Sequence, residues 1–129
     1  MGKRLKELAL HPDQLISSPA ERALSTCLII SGKIGYRMTD IHTDQRLYHA
    51  SDDQLLTVVH GLNDANDEIM LFGHNPGLTD FANHLSPELV TDNIPTCGIV
   101  ALKFPVDKWN EVGWEKGEVL FFDFPKNIR

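Results

Sequence analysis

The chain twice places a short apolar run directly before a proline-led helical pattern, and this repeated junction limits the fold more than any other feature. In the later copy, residues 68–73 form an apolar run that follows a polar turn and ends in glycine, which is typical of a buried strand. Asn75-Pro76 then supplies a helix cap and a proline for the first helical position. This pattern predicts a helix that continues to about Leu85.

The earlier copy of the junction has the same order. Residues 14–17 read as a short buried strand, and Ser18-Pro19 supplies the cap and the proline of a helix that runs to about Ser31. Gly32 and Gly35 then end that helix. Strands that alternate with helices in this way predict an α/β fold with a mostly parallel sheet.

Four further segments complete the predicted architecture. Residues 36–50 read as a loop or weak edge strand, and Ser51 caps a helix to about Leu62. Residues 97–104 and 119–124 read as strands that are close enough in sequence to pair as antiparallel neighbours. Residues 1–129 are therefore expected to form a single domain.

Composition narrows the class of protein. A chain of 129 residues with 42% hydrophobic residues can bury a real core. Its formal net charge of −6 argues against binding to nucleic acid or to an anionic membrane, because both require massed Lys and Arg. No run of apolar residues is long enough to predict a membrane span. Any anionic ligand must be held by a small local group of cations.

The cysteines and histidines give no sign of a metal site. Cys27 and Cys97 lie far apart, without a CxxC pair, and the six histidines show no HxxxH or HExxH spacing. We therefore expect no metal, no cofactor and no disulfide framework. Cysteine use of this kind is typical of a reducing cytoplasm.

The two junctions predict where chemistry occurs, because ligands of open α/β sheets bind beyond the carboxyl ends of the strands. Arg22 follows Ser18 by one helical turn, so its guanidinium can fold back towards the strand end and grip a phosphate. His74 lies at the tip of the later strand, and Asn75 can offer its backbone N–H to an anion. The alternatives are ordinary: Arg22 as a solvated helix residue, and Ser18 and Asn75 as helix caps alone.

Four blocks in this order resemble the SixA-type phosphohistidine phosphatases of the histidine phosphatase superfamily, which have a phosphoglycerate mutase-like fold. The blocks are residues 15–23 with Thr26, 47–51, 73–78 and 95–98. The resemblance implies a three-layer α/β/α sandwich. It also implies that Arg22 binds phosphate, that His74 is the second pocket histidine, and that Ser18 and Asn75 border the phosphate.

Weaker implications follow from the last block and from the region around residue 51. Thr96 and Gly98 become candidates for substrate binding, although in a Pro-Thr-x-Gly sequence they also read as turn residues. No carboxylate matches a proton donor of the superfamily. Three aspartates lie near the expected loop: Asp44, Asp52 and Asp53.

One departure separates this sequence from the family pattern. Family members open with a strand that ends in Arg-His, whose histidine is the nucleophile, whereas no arginine among these 129 residues is followed by histidine. Residues 1–8 resemble the end of the helix that follows that strand. The expectation is a domain that lacks its N-terminal strand, through a late start codon or a real shortening. Such a domain would close the gap by shifting strands or by pairing between copies in a homo-oligomer.

These considerations give three functional hypotheses. The leading one is hydrolysis of phosphohistidine on a partner protein through a covalent phosphohistidine intermediate, impaired or absent here because the nucleophile is missing. The second is a non-catalytic module that binds phosphate or a phosphoprotein. The third is a phosphatase or mutase of the same superfamily that acts on a phosphorylated small molecule.

Overall fold

The computed structural model describes residues 11–89, 91–94 and 99–123. Strand β1 covers Gln14–Ser17, β2 covers His42–Thr43 and β3 covers Ile69–Phe72. These three strands form a parallel sheet in the order β2-β1-β3. Strand β4 covers Ile99–Lys103 and pairs antiparallel with β5 at Glu118–Asp123, as the sequence predicts.

Three α-helices occur in the described residues. Helix α1 covers Glu21–Ile34, α2 covers Asp52–His60 and α3 covers Gly77–Leu85. Short 3-10 turns at Met38–Asp40, Gln45–Leu47 and Trp109–Glu111 join the longer elements. None of the described helices has the length and apolar character that a membrane crossing requires.

Helices cover both faces of the parallel sheet, because successive side chains of β1 point to opposite sides. Leu15 faces α1 and lies in one core cluster, whereas Ile16 faces α2 and α3 in another. The first cluster contains Leu15, Ala23, Cys27, Ile30 and Phe72, and the second includes Ile16, Leu55, Val58, Phe81 and Leu85. The result is the predicted α/β/α arrangement.

The helix starts differ from the predicted caps by one or two residues. The N-cap of α1 is Ala20, and Ser18 lies two residues earlier, where its hydroxyl accepts the Ala20 N–H at 3.2 Å. The N-cap of α3 is Pro76, so neither proline holds the first helical position. Helix α1 also passes through Gly32 to Ile34 and ends at Gly35, whose φ of 78° suits glycine.

Strands β1 and β3 are paired directly. Gln14 lies opposite Ile69, and Ser17 lies opposite Phe72. The Asp13 carboxylate fixes the start of this pairing by accepting the backbone N–H groups of Asp67 at 2.6 Å and Glu68 at 3.0 Å. These bonds lower the pKa of Asp13 below its ordinary value. The two junctions therefore lie side by side at the carboxyl edge of the sheet.

Candidate functional site

Ser18 and His74 meet because β1 and β3 end in register. Ser18 follows β1 and is fully buried, and its backbone N–H donates to the Phe72 carbonyl at 2.9 Å. His74 follows β3 by two residues, and its Nε2 lies 2.9 Å from the Ser18 hydroxyl oxygen. The buried hydroxyl thereby fixes the orientation of the imidazole ring. Its role is to hold His74 in place, in addition to accepting the N–H of Ala20.

The surroundings of His74 keep its imidazole neutral. Burial lowers the pKa of His74 below the ordinary 6.5, and the nearby charges of His49 and then Arg22 lower it further. A neutral ring carries one N–H donor and one acceptor nitrogen. A phosphate anion placed beside it would reverse the local balance and favour the protonated ring. Anion binding and proton uptake at His74 are therefore coupled.

Arg22 is the second residue of α1 and is exposed. Its neighbour Ala23 packs into the core cluster on that face of the sheet, so Arg22 projects from the helix start. In the described part of the chain its guanidinium forms neither a hydrogen bond nor an ion pair, while its charge reaches His74. An unpaired guanidinium next to a neutral imidazole is suited to bidentate binding of an anion.

The Asn75 side chain has a structural role that the sequence did not predict. Its amide nitrogen donates to the Ile94 carbonyl at 2.8 Å, and its oxygen accepts the Thr79 hydroxyl at 2.7 Å. Thr79 in turn accepts the Ile94 N–H at 3.0 Å. Asn75 and Thr79 thus tie the segment around residue 94 to the start of α3. Only the backbone N–H of Asn75 is available to an anion, and Thr96 and Gly98 lie outside the described residues.

Two aromatic residues, Tyr48 and His49, also lie close to His74. The His49 ring stacks on Tyr48 with centroids 4.1 Å apart, and it lies 6.3 Å from the His74 ring. Tyr48 meets His74 edge-on at 5.4 Å. No spacing rule points to His49, because its approach to His74 is a tertiary contact.

Gly77 explains how the Tyr48–His49 turn comes so close to the start of α3. A Cβ added at Gly77 would collide with the carbonyl oxygen of Ala50. The absence of a side chain therefore lets the backbone of residues 48–50 lie directly against the pocket helix. This close contact explains why a glycine is needed at position 77.

The three candidate aspartates differ in their surroundings. Asp44 binds Arg46 at 2.7 Å, and this contact lowers the pKa of Asp44, so the carboxyl is ionised at neutral pH. Asp52 binds His84 Nδ1 at 3.2 Å. Asp53 is exposed in the first turn of α2. Among the described residues, no three His, Cys, Asp or Glu side chains come together as metal ligands would.

One cleft lies away from this site. It has a volume of about 680 Å³ and opens near the starts of β1 and β2, between Asp13, Tyr36, His42 and Asn63. It is shallow and polar, and neither Arg22 nor His74 lines it. The candidate site is the carboxyl edge of the sheet, where cationic side chains and a helix start converge.

A parallel sheet between helices, with Arg22, His74 and a helix start at its carboxyl edge, defines an α/β protein with a small cationic site. Solved structures share this fold. A protein from Agrobacterium tumefaciens that bears the name phosphohistidine phosphatase SixA matches with a TM-score of 0.73 and 20% identity, over 96% of this chain and 75% of its own. One from Nakamurella multipartitia with the same name matches with a TM-score of 0.77 and 15% identity, over 97% of this chain and 77% of its own.

These matches confirm the predicted fold: the chain has the SixA-type, phosphoglycerate mutase-like architecture. About a quarter of each solved chain lies outside the match. No protein-family model and no curated protein matches this sequence. The comparisons therefore identify the fold and not the ligand.

Proposed function

We propose that this chain is phosphohistidine phosphatase-like and that its site binds the phosphoryl group of a phosphohistidine on a partner protein. One observation carries the proposal. His74 is held by the buried Ser18 hydroxyl at 2.9 Å, within electrostatic range of Arg22, whose guanidinium has no partner among the described residues. The Arg22 guanidinium and the His74 imidazole are therefore placed to bind the same anion. The fold is also that of proteins named phosphohistidine phosphatases.

The chemistry of each group suits a phosphoryl ligand. Arg22 can form two parallel hydrogen bonds to phosphate oxygens, which a lysine could not do. His74 donates one N–H to a further oxygen and takes up a proton as the negative charge approaches. The backbone N–H of Asn75 lies at the start of α3, where the helix dipole favours negative charge. Together these groups neutralise charge on the phosphoryl oxygens.

Turnover requires a nucleophile as well. In the family that the sequence resembles, a histidine attacks phosphorus, the substrate imidazole leaves with a proton, and water then releases phosphate from the enzyme histidine. The nucleophilic histidine of that family stands in an Arg-His pair, and these 129 residues contain no such pair. We therefore propose that this chain binds the phosphoryl group and hydrolyses it slowly or not at all.

Titration with inorganic phosphate tests the binding site. Arg22→Ala and His74→Ala should each weaken phosphate binding by roughly 10- to 100-fold, because each removes a hydrogen bond to a charged group, at about 1.5–3 kcal/mol. Arg37→Ala and His42→Ala are matched controls, since both residues are exposed and lie outside the site. Equal losses in the controls, or no loss in either site variant, would refute the assignment.

A second candidate function is recognition of a phosphorylated partner without turnover, and the lack of an Arg-His pair favours it. Phosphorus NMR of a phosphohistidine peptide separates the two. Release of phosphate faster than the spontaneous rate, and loss of that release in His74→Ala, indicates catalysis. Saturable binding with only the spontaneous rate indicates a binding module. A parallel panel of sugar phosphates shows whether the ligand is a small molecule instead.

A further inference from the structure

The turn that carries Tyr48 and His49 is held firmly against the site. Leu47, just before it, is 1% exposed and lies in the core, while the Ala50 carbonyl packs on Gly77. Ser51, just after it, caps α2 through reciprocal bonds with Gln54 at 2.8 Å and 3.3 Å. With both flanks fixed, the backbone of this turn cannot move away from His74 without disturbing the core.

The backbone of His49 is unusual. Its φ is 54°, in the left-handed region that glycine and asparagine adopt most readily. A histidine there stays in a strained conformation that a smaller residue would relax, and strain of this kind is concentrated at functional sites. The backbone conformation of His49 is therefore consistent with a functional role for its side chain.

The ring nitrogens of His49 have no hydrogen-bond partner in the described residues, although the ring itself stacks on Tyr48. Other histidines differ. His60 Nε2 lies 2.6 Å from the Val112 carbonyl, and His84 Nδ1 lies 3.2 Å from Asp52. Those two link separate parts of the fold. The His49 ring is oriented by its stacking on Tyr48, and both of its nitrogens are available to a ligand.

We propose that His49 is a third anion-binding group of the site and completes, with Arg22 and His74, a three-sided cationic cradle for a tetrahedral phosphate dianion. This inference rests on the proposed function and adds a residue that binds the same ligand. The His49 and His74 ring centroids are 6.3 Å apart at an angle of 80°, so a phosphate beside His74 is within reach of both imidazoles. Tyr48 contributes by stacking, which fixes the plane of the His49 ring.

The charge of His49 acts on the His74 ring. It is the largest charge effect on the pKa of His74, ahead of that of Arg22. Two imidazoles that repel each other as cations are both stabilised when a dianion enters between them. Three cationic groups therefore favour a dianionic phosphoryl group over a singly charged carboxylate.

His49→Asn is the first test variant, because asparagine tolerates the left-handed backbone and carries no charge. Inorganic phosphate should bind it about two- to fivefold more weakly than wild type, the range for an exposed charge pair. NMR titration of the His74 ring should give a midpoint at higher pH, since one repelling charge has been removed. His42→Asn is the control and should change neither value.

His49→Gly is the second variant and guards against a purely structural effect. Glycine relaxes the backbone but gives the unfolded chain more freedom, so this variant should melt close to wild type and still bind phosphate as weakly as His49→Asn. Wild-type affinity and an unchanged His74 midpoint in both variants would overturn the role of His49, while losses in Arg22→Ala and His74→Ala would leave the proposed function intact. A wild-type chain that does not bind phosphate would overturn both.

Discussion

Substituting Gly77 by alanine tests the packing that builds the site. Alanine normally stabilises a helix relative to glycine, by up to about 1 kcal/mol. Here the new methyl group would collide with the Ala50 carbonyl oxygen and press on the Ala50 carbonyl carbon, which is 3.3 Å from the added Cβ position. Both obstacles are backbone atoms, so no side-chain rotation relieves the collision. Either the start of α3 or the turn at residues 48–50 must move.

Overpacking of this kind costs about 1–3 kcal/mol, which corresponds to a fall in Tm of roughly 3–15 °C for a domain of this size. Gly32→Ala is the matched control, because Gly32 lies inside α1 and an added Cβ meets nothing within 4 Å. It should gain about 0.5–1 kcal/mol. Circular dichroism melts of both variants measure the difference. If Gly77→Ala melts as high as Gly32→Ala, the close contact between the turn and the helix is not real.

Three further predictions concern stability and titration. Asp13→Asn should lower Tm at pH 7 and should have a smaller effect well below pH 3.8, the ordinary pKa of an aspartate. A carboxylate whose pKa is lowered by folding stabilises the protein only while it is ionised, and this stabilisation is lost as pH falls through the lowered pKa. Thermal melts of both proteins across this pH range measure the difference. His74 should make folding less favourable as pH falls through the ordinary 6.5, because the unfolded chain takes up the proton first, and His74→Gln should flatten that slope in denaturant titrations. Thr79→Val should cost about 0.5–1.5 kcal/mol by removing two half-buried hydrogen bonds, whereas the exposed Thr57→Val should cost under about 0.5 kcal/mol; urea unfolding compares the pair.

Local patterns were sufficient to predict the longer strands. Residues 14–17 form β1 as predicted, and the apolar run at 68–73 contains β3. The helix starts were less accurate, since Ala20 and Pro76 hold the cap positions. Proline fixes its own φ but does not decide how many residues the turn before a helix needs.

Contacts between distant segments could not be read from spacing. Asn75 looked like a helix cap, but its amide binds the Ile94 backbone, 19 residues away. His49 looked like one of several scattered histidines, and only the packing of Ala50 on Gly77 brings it to His74. Strand β1 pairs directly with β3, and this contact too joins segments that lie far apart in the sequence.

The pairing of β1 with β3 also sets the width of the site. Neighbouring strands lie about 4.8 Å apart, and only at that spacing can Ser18 and His74 share a 2.9 Å hydrogen bond. A strand inserted between them would double the separation to roughly 10 Å, break this bond and leave Arg22 and His74 on opposite walls of a slot. The distance between Ser18 and His74 is therefore set by how many strands separate them, and each added strand would widen the site by about 4.8 Å.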